Sequence, residues 1–397
     1  MVRARCCPRA AAVSLTGAAR VAVAVAVGAL LVGAGCGGRK RGPARAVDAG
    51  VAPRTGGPLI STDARVELLS ILFRLAGAPE YNKGSQTPYL AAALAHFGRF
   101  ADHPAVLASR QLRQQSGIGY NAPVGLAVYL DPTTLTPLVP MQPLPSGLDV
   151  RWRGVAMADY LDKVRDFATR SDFAGFFATQ RPYLTRVEAR MSAALAGHDS
   201  ASWLERWFGA APFGSFVIIP GLITGAWNYG ASTTTPGAGH TAFQVVQLER
   251  PDAEGLPQPS DDTLALLAHE MSHSFVNPII EDHAAALEPA ATPLFTAVQA
   301  AMTRSTYPSW LLMVQESCVR AVTLLYARAE LGPAAARATL ARDRDAGFTW
   351  IEALAEMLEA QRAGLADAGA GSSLEAMVPA LAAFFSSQAP PAASPGP

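Results

Sequence analysis

Cysteine, lysine and long apolar runs are what this chain lacks. Only four cysteines occur, and three of them, Cys6, Cys7 and Cys36, fall near the N-terminus. Cys318 is then alone in the rest of the chain, which excludes an intrachain disulfide there. It sits on an apolar helical stripe and reads as a small buried hydrophobe rather than a ligand or nucleophile. Lysine is scarce, and arginine supplies most of the 32 basic residues, which 32 acidic residues balance. Zero net charge with interspersed signs leaves no nucleic-acid footprint. The apolar run Val21 to Val32 is too short to span a bilayer comfortably. No internal repeat is evident.

That apolar run instead has the form of an export signal. Arg3, Arg5, Arg9 and Arg20 make a positive leading region, and Gly33-Ala34-Gly35-Cys36 follows. The small residues before Cys36 resemble a bacterial lipobox, with Gly33 where leucine is usual. Residues 1–36 are therefore expected to be a lipoprotein-type signal peptide, with Cys36 as the lipidated residue. Residues 37–60, rich in Gly, Arg, Pro and Ala, read as a flexible tether. The expected location is the cell envelope, the chain being held on a membrane by its lipid (the outer membrane if the cell is Gram-negative). Plain secretion is the alternative. The closing run 386–397, SSQAPPAASPGP, reads as a disordered tail.

Residues 61–385 remain, enough for a substantial core. The part from 61 to 200 reads as mostly helical. Helices are expected over Asp63 to Leu75, Tyr89 to Phe100, Ala156 to Ala168 and Phe173 to Ala196, and a short strand over Leu126 to Leu130. From 201 to 385 the character changes. Ser215 to Ile219, SFVII, and Ala242 to Leu248, AFQVVQL, are β-branched and aromatic and read as strands. The Gly-, Thr- and Asn-rich stretch between them reads as a loop. Further helices are expected over Pro333 to Asp343, Phe348 to Arg362 and Met377 to Phe385. The fold class is α+β, mainly helical, with a small sheet ahead of the stretch that carries the chemistry.

That stretch is Asp261 to Pro278, DDTLALLAHEMSHSFVNP, which contains an HExxH motif. Ser260 is a natural N-cap, and Asp261 and Asp262 suit the positive end of a helix. Leu264, Leu267, Ala268, Met271 and Phe275 fall on one apolar stripe. Asn277-Pro278 is expected to stop the helix. On such a helix His269 and His273, four residues apart, lie on one face and can grip one metal ion. Glu270 is turned about 100° from His269, so its carboxylate can reach a water on the metal without being a ligand. With seven histidines in the chain, a chance match is expected in only about 1% of such sequences.

A catalytic zinc wants three protein ligands and one open position. Glu316 is the favoured third ligand. It lies in a second expected helix, Ser309 to Glu330, opposite a stripe of Leu311, Val314, Cys318, Ala321, Val322 and Leu325, with Arg320 one turn on. Glu281, Asp282, His283 and Glu288 are the other candidates. Tyr229, His240 and Tyr307 are candidates to polarise a carbonyl or stabilise its oxyanion, against a plain reading as loop residues with local hydrogen bonds.

HExxH on one helix with a ligand Glu on a later one resembles the gluzincin clan of zinc metallopeptidases. The runs HEMSHSFVNP and ESCVRA are more similar to a poorly characterised bacterial family with a domain of unknown function, over about Arg65 to Phe385. The resemblance implies a zincin-like fold, Zn2+ held by His269, His273 and Glu316, and Glu270 as general base. It also implies a sheet edge able to pair with an extended peptide, and hydrolysis of a peptide or protein substrate outside the cytoplasm. Two other readings stay open: a non-catalytic binding lipoprotein on the same scaffold, and a zinc hydrolase acting on a non-peptide bond. Arg320 departs from the gluzincin pattern, which often has an acidic residue there to orient the first histidine.

Overall fold

The computed structural model describes residues 58–209, 213–235, 239–248, 250–367 and 373–389. The expected signal segment, Cys36, nearly all of the expected tether and the end of the expected tail lie outside them. Fourteen α-helices and four strands make up the described residues. The helices of the first half are α1 (Ala64–Leu75), α2 (Pro88–Phe97), α3 (Pro104–Ser116), α4 (Asn121–Val128), α5 (Met157–Arg170), α6 (Phe173–Thr179), α7 (Arg181–Leu195) and α8 (Ser200–Phe208). Those of the second half are α9 (Asp261–Asp282), α10 (Ala284–Arg304), α11 (Trp310–Tyr326), α12 (Pro333–Asp345), α13 (Ile351–Asp367) and α14 (Val378–Gln388).

The strands β1 (Leu59–Ile60), β2 (Ser215–Gly221), β3 (Tyr229–Thr235) and β4 (Gly239–Gln247) form one mixed sheet in the order β1-β2-β4-β3. β2 runs parallel to β1 and β4, and β3 is antiparallel to β4. The molecule is thus mainly helical with a small sheet, an α+β arrangement.

Alternation along the strands puts a hydrophobic core on each face of the sheet. Phe243, Val245 and Ile219 join the core built by α1 to α7. Ala242, Val246, Phe216 and Ile218 join the core built by α8 to α14. The sheet is therefore the middle layer between two helical layers. Among the described residues, no helix is long and apolar enough to cross a membrane.

Several expectations are corrected. Leu126 to Leu130 is not a strand: Asn121–Val128 is the helix α4, buried at Ala122, Pro123, Val124, Leu126, Ala127 and Val128 and packed on α1 and β3. A short apolar run does not distinguish a buried strand from a buried helix. The stretch taken as a loop between the two expected strands contains β3. The single helix expected over Phe173 to Ala196 is two, because Pro182 opens the second of them. Asn277-Pro278 does not end the motif helix, which continues to Asp282. Pro278 removes one backbone donor, and burial of Val276 and Ile280 in the second core offsets that loss. The link between the helices that carry His269, His273 and Glu316 is itself a helix, α10.

Candidate metal centre

Two helices build the site. α9 begins at Ser260, whose backbone N–H donates to Thr263 Oγ1 at 3.1 Å, and carries Asp261 and Asp262 in its first turn. One side of α9 packs on the sheet and α8: Phe275 stacks on Phe208 with ring centres 4.8 Å apart and lies beside Phe216. The other side packs on α11. α11 is capped by Ser309, whose hydroxyl oxygen accepts from the Leu312 N–H. It is buried without interruption from Met313 to Tyr326. The faces of α9 and α11 that lie opposite their apolar stripes are interior as well, and Glu316 is only 1% exposed.

His269, His273 and Glu316 come together between these helices, with one ligand atom from each lying within 4.8 Å of the others. His269 Nε2 is 3.3 Å from Glu316 Oε1, and His273 Nε2 is 3.7 Å from Glu316 Oε2. Ligands at zinc distances in a tetrahedron stand about 3.4 Å apart, so these spacings suit one small metal ion. The two imidazole rings are nearly perpendicular, with centres 5.0 Å apart.

Hydrogen bonding supplies an independent test. His269 Nε2, His273 Nε2 and Glu270 Oε1 are all buried without a hydrogen-bond partner. Buried polar atoms are rarely left so, and three in one place suit a group that binds there. His273 Nδ1 lies 3.3 Å from Asn277 Oδ1, one turn on. Donation from Nδ1 fixes the tautomer that leaves the Nε2 lone pair free for a metal. Burial pushes the His273 imidazole down to about 4, so it is neutral and able to ligate near pH 7. Burial, and then the nearby Glu316 charge, push Glu270 up to about 7, the range of a working base. Burial also opposes ionisation of Glu316, but Arg320 and the two histidines outweigh it and hold that carboxyl well below the usual range.

Glu281 is not among the gathered ligands; its Oε1 accepts from Gln315 Nε2 at 3.1 Å. His283 marks the junction of α9 and α10 and lies 3.4 Å from Glu375. Asp282 and Glu288 are likewise outside the group. Tyr307 does reach the centre, but its hydroxyl donates to Glu316 Oε1 at 2.9 Å and accepts from Arg320 Nη2 at 3.1 Å. The hydroxyl thus braces Glu316. Tyr229 does not join this group: it lies in the core on the opposite face of the sheet, stacked on Tyr81, and its hydroxyl donates to the Thr224 carbonyl at 3.3 Å. His240, at the start of β4, has its ring 4.0 Å from that of Phe213.

Two contributors were not foreseen. Gln244 donates its side-chain amide to the Glu270 carbonyl at 3.2 Å. A glutamine inside the apolar run AFQVVQL was the available signal. Asp343 on α12 pairs with Arg320, and nothing local in the sequence links these two positions.

No curated protein and no solved structure matches this chain. A family model does, over residues 141–365. The matched span holds β2 to β4, α9, α11 and Asp343 but leaves out α1 to α4 and α14, a shorter extent than the Arg65 to Phe385 expected. It covers more than half of the chain, which therefore belongs to the family described as "Domain of unknown function (DUF4932)".

Proposed function

We propose that this protein is a zinc-dependent hydrolase of peptide bonds with a zincin-like arrangement. The observation that carries the proposal is the convergence of three unpartnered buried atoms, two imidazole Nε2 and Glu270 Oε1, beside the Glu316 carboxylate. His269, His273 and Glu316 would hold the ion, and a three-ligand set of two histidines and a glutamate leaves a position for water or substrate. Zinc held there supplies Lewis acidity and lowers the pKa of water. Glu270 accepts a proton from the attacking water and passes it to the leaving amine, a task suited to a carboxyl raised to about 7. Asn277 orients His273, and Gln244 fixes the turn of α9 that carries Glu270.

The order of elements, a small sheet, then the HExxH helix, then the helix with the glutamate, supports the zincin-like reading. Export and lipid attachment at Cys36 belong to the same proposal and would set an extracytoplasmic peptide or protein as substrate. Mass spectrometry of the mature N-terminus tests that part: an unmodified start downstream of Cys36 would replace anchoring by secretion.

Depth favours a second reading. The His269, His273 and Glu316 side chains are only 8%, 13% and 2% exposed, which also suits a scaffold that holds metal without turnover. Cleavage of a quenched-peptide library by the metal-loaded protein, lost with a chelator and restored by zinc, supports hydrolysis. Full metal content with no cleavage supports the second reading, and cleavage of a non-peptide substrate alone would move the activity to another bond.

A further inference from the structure

Arg320 is a buried arginine set between two carboxylates. It lies one turn after Glu316 on α11, so the two side chains share a helix face. Its Nη2 stands 2.8 Å from Glu316 Oε1, and its Nη1 donates to Asp343 Oδ1 on α12. The guanidinium lies 4.7 Å from the centre of the Phe348 ring and 5.9 Å from that of Tyr307. A guanidinium set over aromatic rings makes contacts that a lysine does not reproduce. Tyr307 arrives from the turn before α11. Thr306 there has a positive φ of 70°, and the Tyr307 N–H donates to the Met302 carbonyl at 2.8 Å. Its hydroxyl then donates to the same Oε1 that Arg320 contacts.

Two donors therefore converge on one oxygen of Glu316. Oε1 has the Tyr307 hydroxyl at 2.9 Å and the Arg320 guanidinium at 2.8 Å and faces His269 Nε2 at 3.3 Å, while Oε2 is turned toward His273 Nε2 at 3.7 Å. A carboxylate with both oxygens free can take a metal through one or both. Here Oε1 already accepts from both donors, which leaves Oε2 the freer oxygen for a metal, and the donors are set by three elements: α11, the turn before it, and α12. Bringing an arginine and two carboxylates out of water is expensive, so the array needs a reason for being where it is. Its place against a single ligand oxygen provides one.

We propose that Tyr307 and Arg320, the latter anchored by Asp343, are positioning residues that hold Glu316 as a one-oxygen ligand through Oε2. The inference rests on the metal-centre reading above. By occupying Oε1 they keep a coordination position for water or substrate that a two-oxygen carboxylate would fill.

Cobalt(II) as the metal probe tests this apart from any activity, because its visible spectrum reports coordination number. Wild type, Tyr307→Phe, Arg320→Lys and Asp343→Asn would be titrated with cobalt, with circular dichroism confirming the fold of each. Tyr307→Phe removes one hydroxyl and is the variant least disposed to misfold. The inference expects one cobalt per wild-type chain with the intense bands of a four-coordinate site. It expects weaker, shifted bands in Tyr307→Phe and Arg320→Lys as the freed Oε1 enters the shell. Their metal dissociation constants should rise about 10- to 100-fold, the usual effect of losing a partner of a ligand. Folded Tyr307→Phe and Arg320→Lys with wild-type spectra and dissociation constants within two-fold would overturn the positioning role and leave the metal centre standing. A wild-type chain that takes up neither cobalt nor zinc would overturn both.

Discussion

The side-chain amide of Gln244 donates to the backbone carbonyl of Glu270 at 3.2 Å, tying an inner strand of the sheet to the middle of the motif helix. Gln244 is buried on β4, and its neighbours on the same face, Ala242 and Val246, pack into the second core. The bond fixes how far α9 is rotated about its axis, and so where the Glu270 carboxylate points. Gln244→Met fills a similar volume and removes the bond. The variant should keep its metal and lose about 1 kcal/mol of stability, the net worth of a typical hydrogen bond. Its hydrolysis should fall more than that stability change implies. Thermal melts, metal analysis and peptide cleavage on one preparation check this.

Phe275 anchors the same helix to the sheet and to α8, between Phe208 on α8 and Phe216 on β2. Phe275→Ala should cost about 3–5 kcal/mol, the range for deleting a buried phenylalanine. Phe275→Leu should cost about 1 kcal/mol. Chemical denaturation of the metal-loaded protein measures both. An alanine variant within 1 kcal/mol of wild type would show that this contact does not hold α9 to the sheet.

Glu67 on α1 predicts a pH dependence that does not involve the metal. The residue is 1% exposed, Oε1 accepts from the Leu222 N–H at 3.2 Å, and the Tyr89 hydroxyl lies beside the carboxyl. Burial pushes it up to about 8 from an ordinary 4.5. The folded state thus favours the protonated form. That contribution is fully present below about pH 4.5 and is lost as pH rises toward 8. Glu67→Gln should remove the slope across this window and be the more stable protein at pH 8.5. Melting temperatures from pH 4 to 9 for the two proteins decide it; parallel curves would mean that Glu67 ionises freely in the fold.

Legibility in the sequence divides along physical lines. α1 could be read, because Asp63 caps it and its apolar residues recur at helical spacing. β2 and β4 could be read, because each is a β-branched run. The grouping of His269, His273 and Glu316 could be read because its spacing is chemical as well as structural: His269 and His273 must share a helix face, and Glu316 lies opposite the apolar stripe of a later helix. β3 could not, since YGASTTT has the composition of a loop and becomes a strand only by pairing with β4. Nor could the end of α9, where burial of Val276 and Ile280 outweighs the local effect of Pro278. α3 carried the signals of a helix that was not foreseen, with Pro104 at its start and Gly117 in the left-handed conformation at its end. Tyr229 was misplaced because face assignment in a strand needs the strand first. Asp343 lies on another helix, and only the folded chain brings it to Arg320.

Glu270→Gln, assayed for bound zinc and for peptide hydrolysis on the same folded preparation, tests the central claim most directly. The substitution keeps the size of the side chain and removes its basicity. The account predicts about one zinc per chain, as in the wild type, and hydrolysis lower by at least about 100-fold, the effect of losing a general base. Zinc retained with activity within a few-fold of wild type would contradict the role of Glu270 and the mechanism built on it.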